Sequence, residues 1–226
     1  TQALLSKKTY VQDFIKITSF PIGYCILRAK KIYLGNKKEI KKIMRDKVLI
    51  APNHTSMIDV VFMYLYFFSR RIRILSLSTI WTVKPLEFAL KRAGAIKYNR
   101  DSPNGFDMQS FKETTAVLDG NGAVVIFPQG HISKDGIIDE ELKPGLAIHS
   151  LKHKAPIIPV IFADETVFWK LNRIVIGDPI YPDKYLENNA KVNNEMIAEF
   201  NKEITEKMLD LQAKSVKYSR KAKKED

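Results

Sequence analysis

From Asp46 onward, short continuous apolar runs alternate with longer segments in which apolar residues recur at helical spacing. KVLIA reads as a strand and about 56–68 as a helix; RILSL is the next strand, PLEFALKRA the next helix, and AIKYN a short strand. A helix over about 105–118 then leads through DGNG, a turn signal, into the strand AVVIF. A loop follows, then a helix at GLAIHSLKH and the strands PIIPVIF and RIVIG. Near the end, Met196, Ile197, Phe200, Ile204, Met208 and Leu211 mark a packed surface helix over about 188–213. Strands that are apolar along their whole length are buried on both faces, so the pattern predicts an α/β fold with a mostly parallel central sheet flanked by helices. In such sheets, sites form beyond the C-terminal ends of the strands.

Residues 1–32 look different. Apolar clusters there are interleaved with Lys7, Lys8, Lys16, Arg28, Lys30 and Lys31, and Pro21 and Gly23 break the pattern into two helices. One reading is a pair of core helices; the other is a membrane-interface element whose apolar face enters the headgroup region while its lysines meet anionic lipid. The expected organisation is therefore a helical membrane-docking element at 1–32, one α/β domain at 33–213 and a basic, solvated tail at 214–226. The chain begins at Thr1 rather than a methionine, which leaves room for a preceding signal or anchor.

Composition narrows the function classes. The 226 residues suffice for one sizeable core, and 45% hydrophobic with 27% charged residues is a globular balance. A net charge of +12 favours an anionic partner: nucleic acid, an anionic membrane surface or a phosphorylated substrate. VVFMYLYFF, the longest apolar run, has nine residues, about half of a membrane-spanning helix. Its aromatic residues suit either a core or an acyl channel, the core being the better fit. Cys25 is the only cysteine, so no intramolecular disulfide exists, and the four histidines stand in no metal-binding spacing; no metal is expected.

The chemistry concentrates in NHTSMID, Asn53 to Asp59, where the strand KVLIA gives way to a helix. Ser56 and Asp59 fit an S-x-x-D capping pattern, which is one account of the carboxylate. Capping leaves His54 unexplained. A carboxylate one turn into the helix can also accept the Nδ1 proton of His54, leaving Nε2 as a proton acceptor, and a histidine so held is a general base around neutral pH. No G-x-S-x-G elbow or other internal nucleophile is present, so the hydroxyl to be deprotonated belongs to a substrate.

These residues resemble a known family. NHTSMID, with His54 and Asp59, is similar to the NHxxxxD block of glycerolipid acyltransferases, the group that includes 1-acylglycerol-3-phosphate acyltransferase. Other blocks follow in that family's order: GAIKYNR, ending in Arg100; FPQGHIS, similar to FPEGTRS; LKPG, which carries Lys143; and APIIPV. The resemblance spans about 46–180. It implies transfer of an acyl chain from a thioester to a lysolipid or glycerol-phosphate hydroxyl, with His54 as base, Asp59 orienting it, and no covalent acyl-enzyme. Arg100 is the phosphate anchor it implies, a guanidinium offering a planar fork to two oxygens; Lys84 and Lys143 are secondary anchors that read equally as solvated charges. Gln129 and Gly130 complete the candidate substrate contacts, the amide as a hydrogen-bond partner and the glycine as a point of close approach.

FPQGHIS departs from the family, with Gln129, His131 and Ile132 standing where glutamate, threonine and arginine are usual. A relative that binds lipid without turnover therefore stays open beside the enzyme, and a basic nucleic-acid-binding protein stays as a weaker third reading, since no recognition motif supports it. His131 reads as a loop residue, and His149 and His153 as surface residues of one helix. The partners the enzyme reading implies are a lysophospholipid acceptor, an acyl thioester carried by coenzyme A or acyl carrier protein, and an anionic membrane surface. It implies no bound cofactor and a peripheral location on the cytoplasmic face of a membrane.

Overall fold

The computed structural model describes residues 25–67, 70–102, 107–133, 135–186, 191–220 and 222. The two helices expected over 1–32, broken near Pro21 and Gly23, lie outside these residues as far as residue 24. Strands β1 (Ala29–Tyr33), β2 (Val48–Pro52), β3 (Ile72–Leu77), β4 (Ile96–Tyr98), β5 (Ala123–Val125), β6 (Ile157–Phe162) and β7 (Asn172–Ile176) form one seven-stranded sheet in the order β1-β7-β6-β2-β5-β3-β4. Pairing is parallel throughout except between β6 and β7, which are antiparallel. The mostly parallel sheet expected from the apolar runs is present, and β2, at its centre, is buried along its whole length.

Alternate residues of the strands feed two cores. On one face Leu49, Val124, Ile157 and Val175 pack with Leu146 and Leu151 of α5 (Gly145–His153) and with Phe200, Ile204 and Met208 of α6 (Asn194–Ser215). On the other, Ile50, Val125 and Ile158 pack with Phe62 and Met63 of α2 (Asp59–Tyr66) and Ile40 of α1 (Lys37–Ile43). Both faces are thus covered by helices, which is why the central strands β2, β5 and β6 carry no polar alternation. Phe62 stacks on Tyr66 and meets Phe162 edge-on, so the described aromatic residues of this helix serve the core. Helices α3 (Lys84–Ala93) and α4 (Met108–Asp119) connect the remaining strands. No described helix is long and apolar enough to cross a membrane.

Two expected boundaries shift. The sheet takes β1 from residues 29–33, across the limit drawn at residue 32, because Ala29 to Tyr33 find a parallel partner in β7 that a short basic stretch does not announce. The basic tail expected from residue 214 is folded at its start. Ser219 Oγ and the Arg220 backbone N–H donate to Asp164, and the Arg220 guanidinium donates to the Glu165 carbonyl.

Candidate active site

Five segments reach the C-terminal edge of the parallel strands: the loop after β2 with His54, the loop after β4 with Arg100, the loop after β5 with Gln129 and Gly130, its continuation to Lys143, and the β6–β7 connection with Thr166. Asn53 ties the first of these to the sheet. Its side chain donates to the Phe162 carbonyl and accepts from the Phe162 N–H, closing the end of β6 against β2 while 1% exposed.

Asp59 opens α2 and is fully buried. Its Oδ2 accepts from the Thr55 and Ser56 backbone N–H groups at 2.6 and 2.8 Å and lies 3.0 Å from His54 Nδ1. Its Oδ1 accepts from Thr166 Oγ1 at 2.6 Å and Thr55 Oγ1 at 3.1 Å. A carboxylate removed from water needs such partners for every lone pair, and here the loop, the helix start and a distant strand end supply them. Bracing the loop and orienting the ring are therefore one arrangement. Asp59 satisfies the amide groups ahead of the helix and holds the imidazole with the same oxygen. Ser56 contributes its hydroxyl only as a 3.4 Å acceptor for the Ile58 N–H, and α2 starts after Ile58 with no side-chain cap, so the expected S-x-x-D cap is not formed and the carboxylate serves the loop instead.

The contact with Asp59 assigns the proton to His54 Nδ1 and leaves Nε2 as the acceptor. The ring lies against Phe127 with centroids 4.3 Å apart, and its side chain is 15% exposed, so it is oriented by packing yet reachable.

Gln129 sits elsewhere than the sequence suggests. It is 2% exposed, its Oε1 accepts from the His54 backbone N–H at 3.2 Å, and its Nε2 donates to the Ile137 carbonyl at 3.0 Å. Both ends of the amide are used inside the protein, so Gln129 braces the His54 loop. Ser133 N–H, donating to the His54 carbonyl at 2.8 Å, is a second brace.

Gly130 adopts a left-handed backbone with φ 71°, and the Arg100 guanidinium donates to its carbonyl. A Cβ added at Gly130 would stand 3.6 Å from Lys143 Cγ and 3.9 Å from Arg100 Nη2, so these three residues share one corner of the edge. Lys143 is exposed, with its backbone N–H bound to the Pro128 carbonyl. Lys84, the exposed first residue of α3, is joined to His54, Arg100 or Lys143 by no hydrogen bond or ion pair among the described residues. Ile132 is 37% exposed and offers no donor. His131 is half exposed, 3.2 Å from the Gln129 carbonyl through Nδ1.

His149 and His153 are buried, not surface residues. His149 stacks on Phe111 at 4.6 Å, and His153 lies 3.1 Å from Asp119 and 3.2 Å from Thr115 Oγ1. Burial lowers the pKa of both, that of His149 to about 4, with the neighbouring His153 and Lys152 charges adding to the shift. Among the described residues no group of His, Cys, Asp and Glu is arranged to hold a metal ion.

The sequence profile of the Acyltransferase family matches residues 31–163, more than half of the chain. The chain belongs to the Acyltransferase family. The match runs from β1 to the end of β6 and includes His54, Asp59, Arg100, Gln129, Gly130 and Lys143. No curated protein matches this acyltransferase in sequence. Among solved structures it is similar to the crystal structure of the 1-acyl-sn-glycerophosphate (LPA) acyltransferase PlsC from Thermotoga maritima, with a TM-score of 0.59 and 12% identity. The alignment covers 97% of this chain and 84% of that one. At that identity the likeness is one of fold. Thr166 lies beyond the region the profile covers and carries no motif; only the approach of the β6–β7 connection to Asp59 reveals it.

Proposed function

We propose that this acyltransferase moves a fatty acyl chain from a thioester to the hydroxyl of a lysophospholipid such as 1-acylglycerol-3-phosphate, working at the cytoplasmic face of a membrane. The contact of His54 Nδ1 with the buried Asp59 carboxylate carries the reading. The acceptor hydroxyl gives its proton to His54 Nε2 as its oxygen attacks the thioester carbonyl. Collapse of the tetrahedral adduct breaks the carbon–sulfur bond, and the departing thiolate takes the proton back from the imidazolium. Asp59, in contact with Nδ1, stabilises the imidazolium between these steps. Arg100, aided by Lys143, holds the acceptor's phosphate, the guanidinium having donors beyond the one spent on Gly130.

The donor thioester is carried by coenzyme A or by acyl carrier protein. A labelled acyl thioester incubated with a panel of lysophospholipids tests the reading. The parent transfers the label, and His54→Ala loses about a hundredfold or more in rate while remaining folded. Turnover that persists in His54→Ala removes the base. A parent inactive with every acceptor favours a lipid-binding relative without turnover, the alternative suggested by Ile132 where the family's third block usually has arginine.

A further inference from the structure

The connection between β6 and β7 ends in Phe168-Trp169-Lys170-Leu171, with Phe168 49%, Trp169 70% and Leu171 38% exposed. Three large apolar side chains within four residues stand exposed, whereas a solvent-facing turn of this length is ordinarily polar. We propose that this turn is an interfacial anchor that enters the headgroup region of an anionic phospholipid bilayer and brings the His54 edge against it. The inference rests on the membrane-surface reading above and names the surface that meets the lipid.

Four observations support a bilayer as the occupant. First, four backbone groups of the turn are satisfied from within the protein. The Asn172 side chain, 2% exposed, accepts from the Val167 N–H at 3.0 Å and donates to the Val167 and Lys170 carbonyls at 2.9 and 3.0 Å. The Trp169 N–H donates to the Ile26 carbonyl at 2.8 Å. A segment entering a medium poor in water needs this, because an unpaired amide there has no other partner. Second, the side chains suit the interface: tryptophan favours the headgroup boundary, and Lys170 can bury its stem while its ammonium stays among phosphates. Third, exposed Arg28 precedes β1 next to the turn, since Ala29 pairs with Asn172, and with Lys170 it adds to a net charge of +12 that draws the protein to anionic lipid.

Fourth, the turn and the site share one frame. Thr166, two residues before Phe168, holds Asp59, and the chain between His54 and α2 exposes Met57 at 60%. The connection is fixed at its base by Arg220, which binds Asp164 and the Glu165 carbonyl. A lipid acceptor entering from the bilayer would thus meet the His54 edge without leaving the membrane boundary.

The chain has two tryptophans, so Trp81→Phe leaves Trp169 as the sole reporter. With vesicles of phosphatidylcholine and phosphatidylglycerol, its emission shifts to the blue and is quenched by lipids brominated on the acyl chains. The double variant Phe168→Ala/Trp169→Gly binds these vesicles at least about tenfold more weakly. Its turn is retained, because Trp169 has φ 65°, a backbone glycine adopts without strain. Its turnover of a short-chain, monomeric acceptor equals that of the parent. Emission that does not move on adding vesicles, or a variant that binds them as the parent does, overturns the anchor while leaving acyl transfer standing. Insertion of Trp169 in a parent inactive with every acceptor supports the anchor and removes the proposed reaction instead.

Discussion

Thr166 Oγ1 donates to Asp59 Oδ1 at 2.6 Å across 107 residues of chain, joining the end of β6 to the start of α2 beneath His54. Thr166→Val deletes this hydroxyl in a buried place and leaves one carboxylate oxygen with Thr55 alone. We expect a stability loss of about 1–3 kcal/mol and a lower rate of acyl transfer with little change in KM, both recovered by Thr166→Ser. Thermal melts and steady-state kinetics on the three proteins check it.

Asp59→Asn is not a silent test of orientation. The amide that replaces one oxygen would face donors from Thr55, Ser56 or Thr166, all of which now point at a carboxylate. The variant should lose stability by on the order of 1–3 kcal/mol as well as activity, whereas His54→Ala keeps its melting temperature close to that of the parent. Melting curves recorded beside the activity assay separate the two.

Gln129→Glu restores the residue usual in the family's third block, yet should destabilise this protein. The new carboxylate would still accept from the His54 N–H but would confront the Ile137 carbonyl where Nε2 now donates. With the side chain 2% exposed, two oxygens in contact without a proton cost about 1–3 kcal/mol. A melting temperature equal to the parent's would show that Ile137 moves away at no cost.

Arg100→Lys should raise KM for a phosphorylated acceptor by roughly tenfold with kcat nearly unchanged, since a lysine keeps the charge but loses the two-pronged geometry. Gly130→Ala should act at the same corner by straining a backbone at φ 71°, its Cβ meeting Arg100 and Lys143 in ordinary contact. An acceptor without phosphate provides the control, and equal effects on both acceptors would place Arg100 outside the anchor.

Stability should fall as acid is added below neutrality. His149 titrates near pH 4 in the folded protein but at its ordinary value of 6.5 when unfolded, so between these values the unfolded chain binds the extra proton. Unfolding is then favoured by about 1.4 kcal/mol per pH unit, levelling off below pH 4, and His153, also lowered by burial, adds with the same sign. His149→Leu should flatten the dependence of melting temperature between pH 7 and 5. Nδ1 of His149 is buried without a hydrogen-bond partner among the described residues, so little is lost at pH 7.

The central strands were legible because full burial leaves a simple trace: β2 is VLIAP and β6 is IIPVIF, apolar at nearly every position. His54 and Asp59 were legible too, because five residues of separation across a strand-to-helix junction suffice to bring them together. Strand β1 and helix α1 were not read, since AKKIY and KKEIKKI are rich in lysine and find their partners only in β7 and the core around Ile40.

What the amino-acid sequence determined by itself was local: which runs are buried, where strands yield to helices, and which loop carries the histidine and carboxylate. What tertiary structure alone decided was long-range. Thr166 became a partner of Asp59, Gln129 turned inward as a brace, and the two helix histidines were buried by α4, because hydrogen bonds and burial depend on neighbours that sequence spacing does not specify.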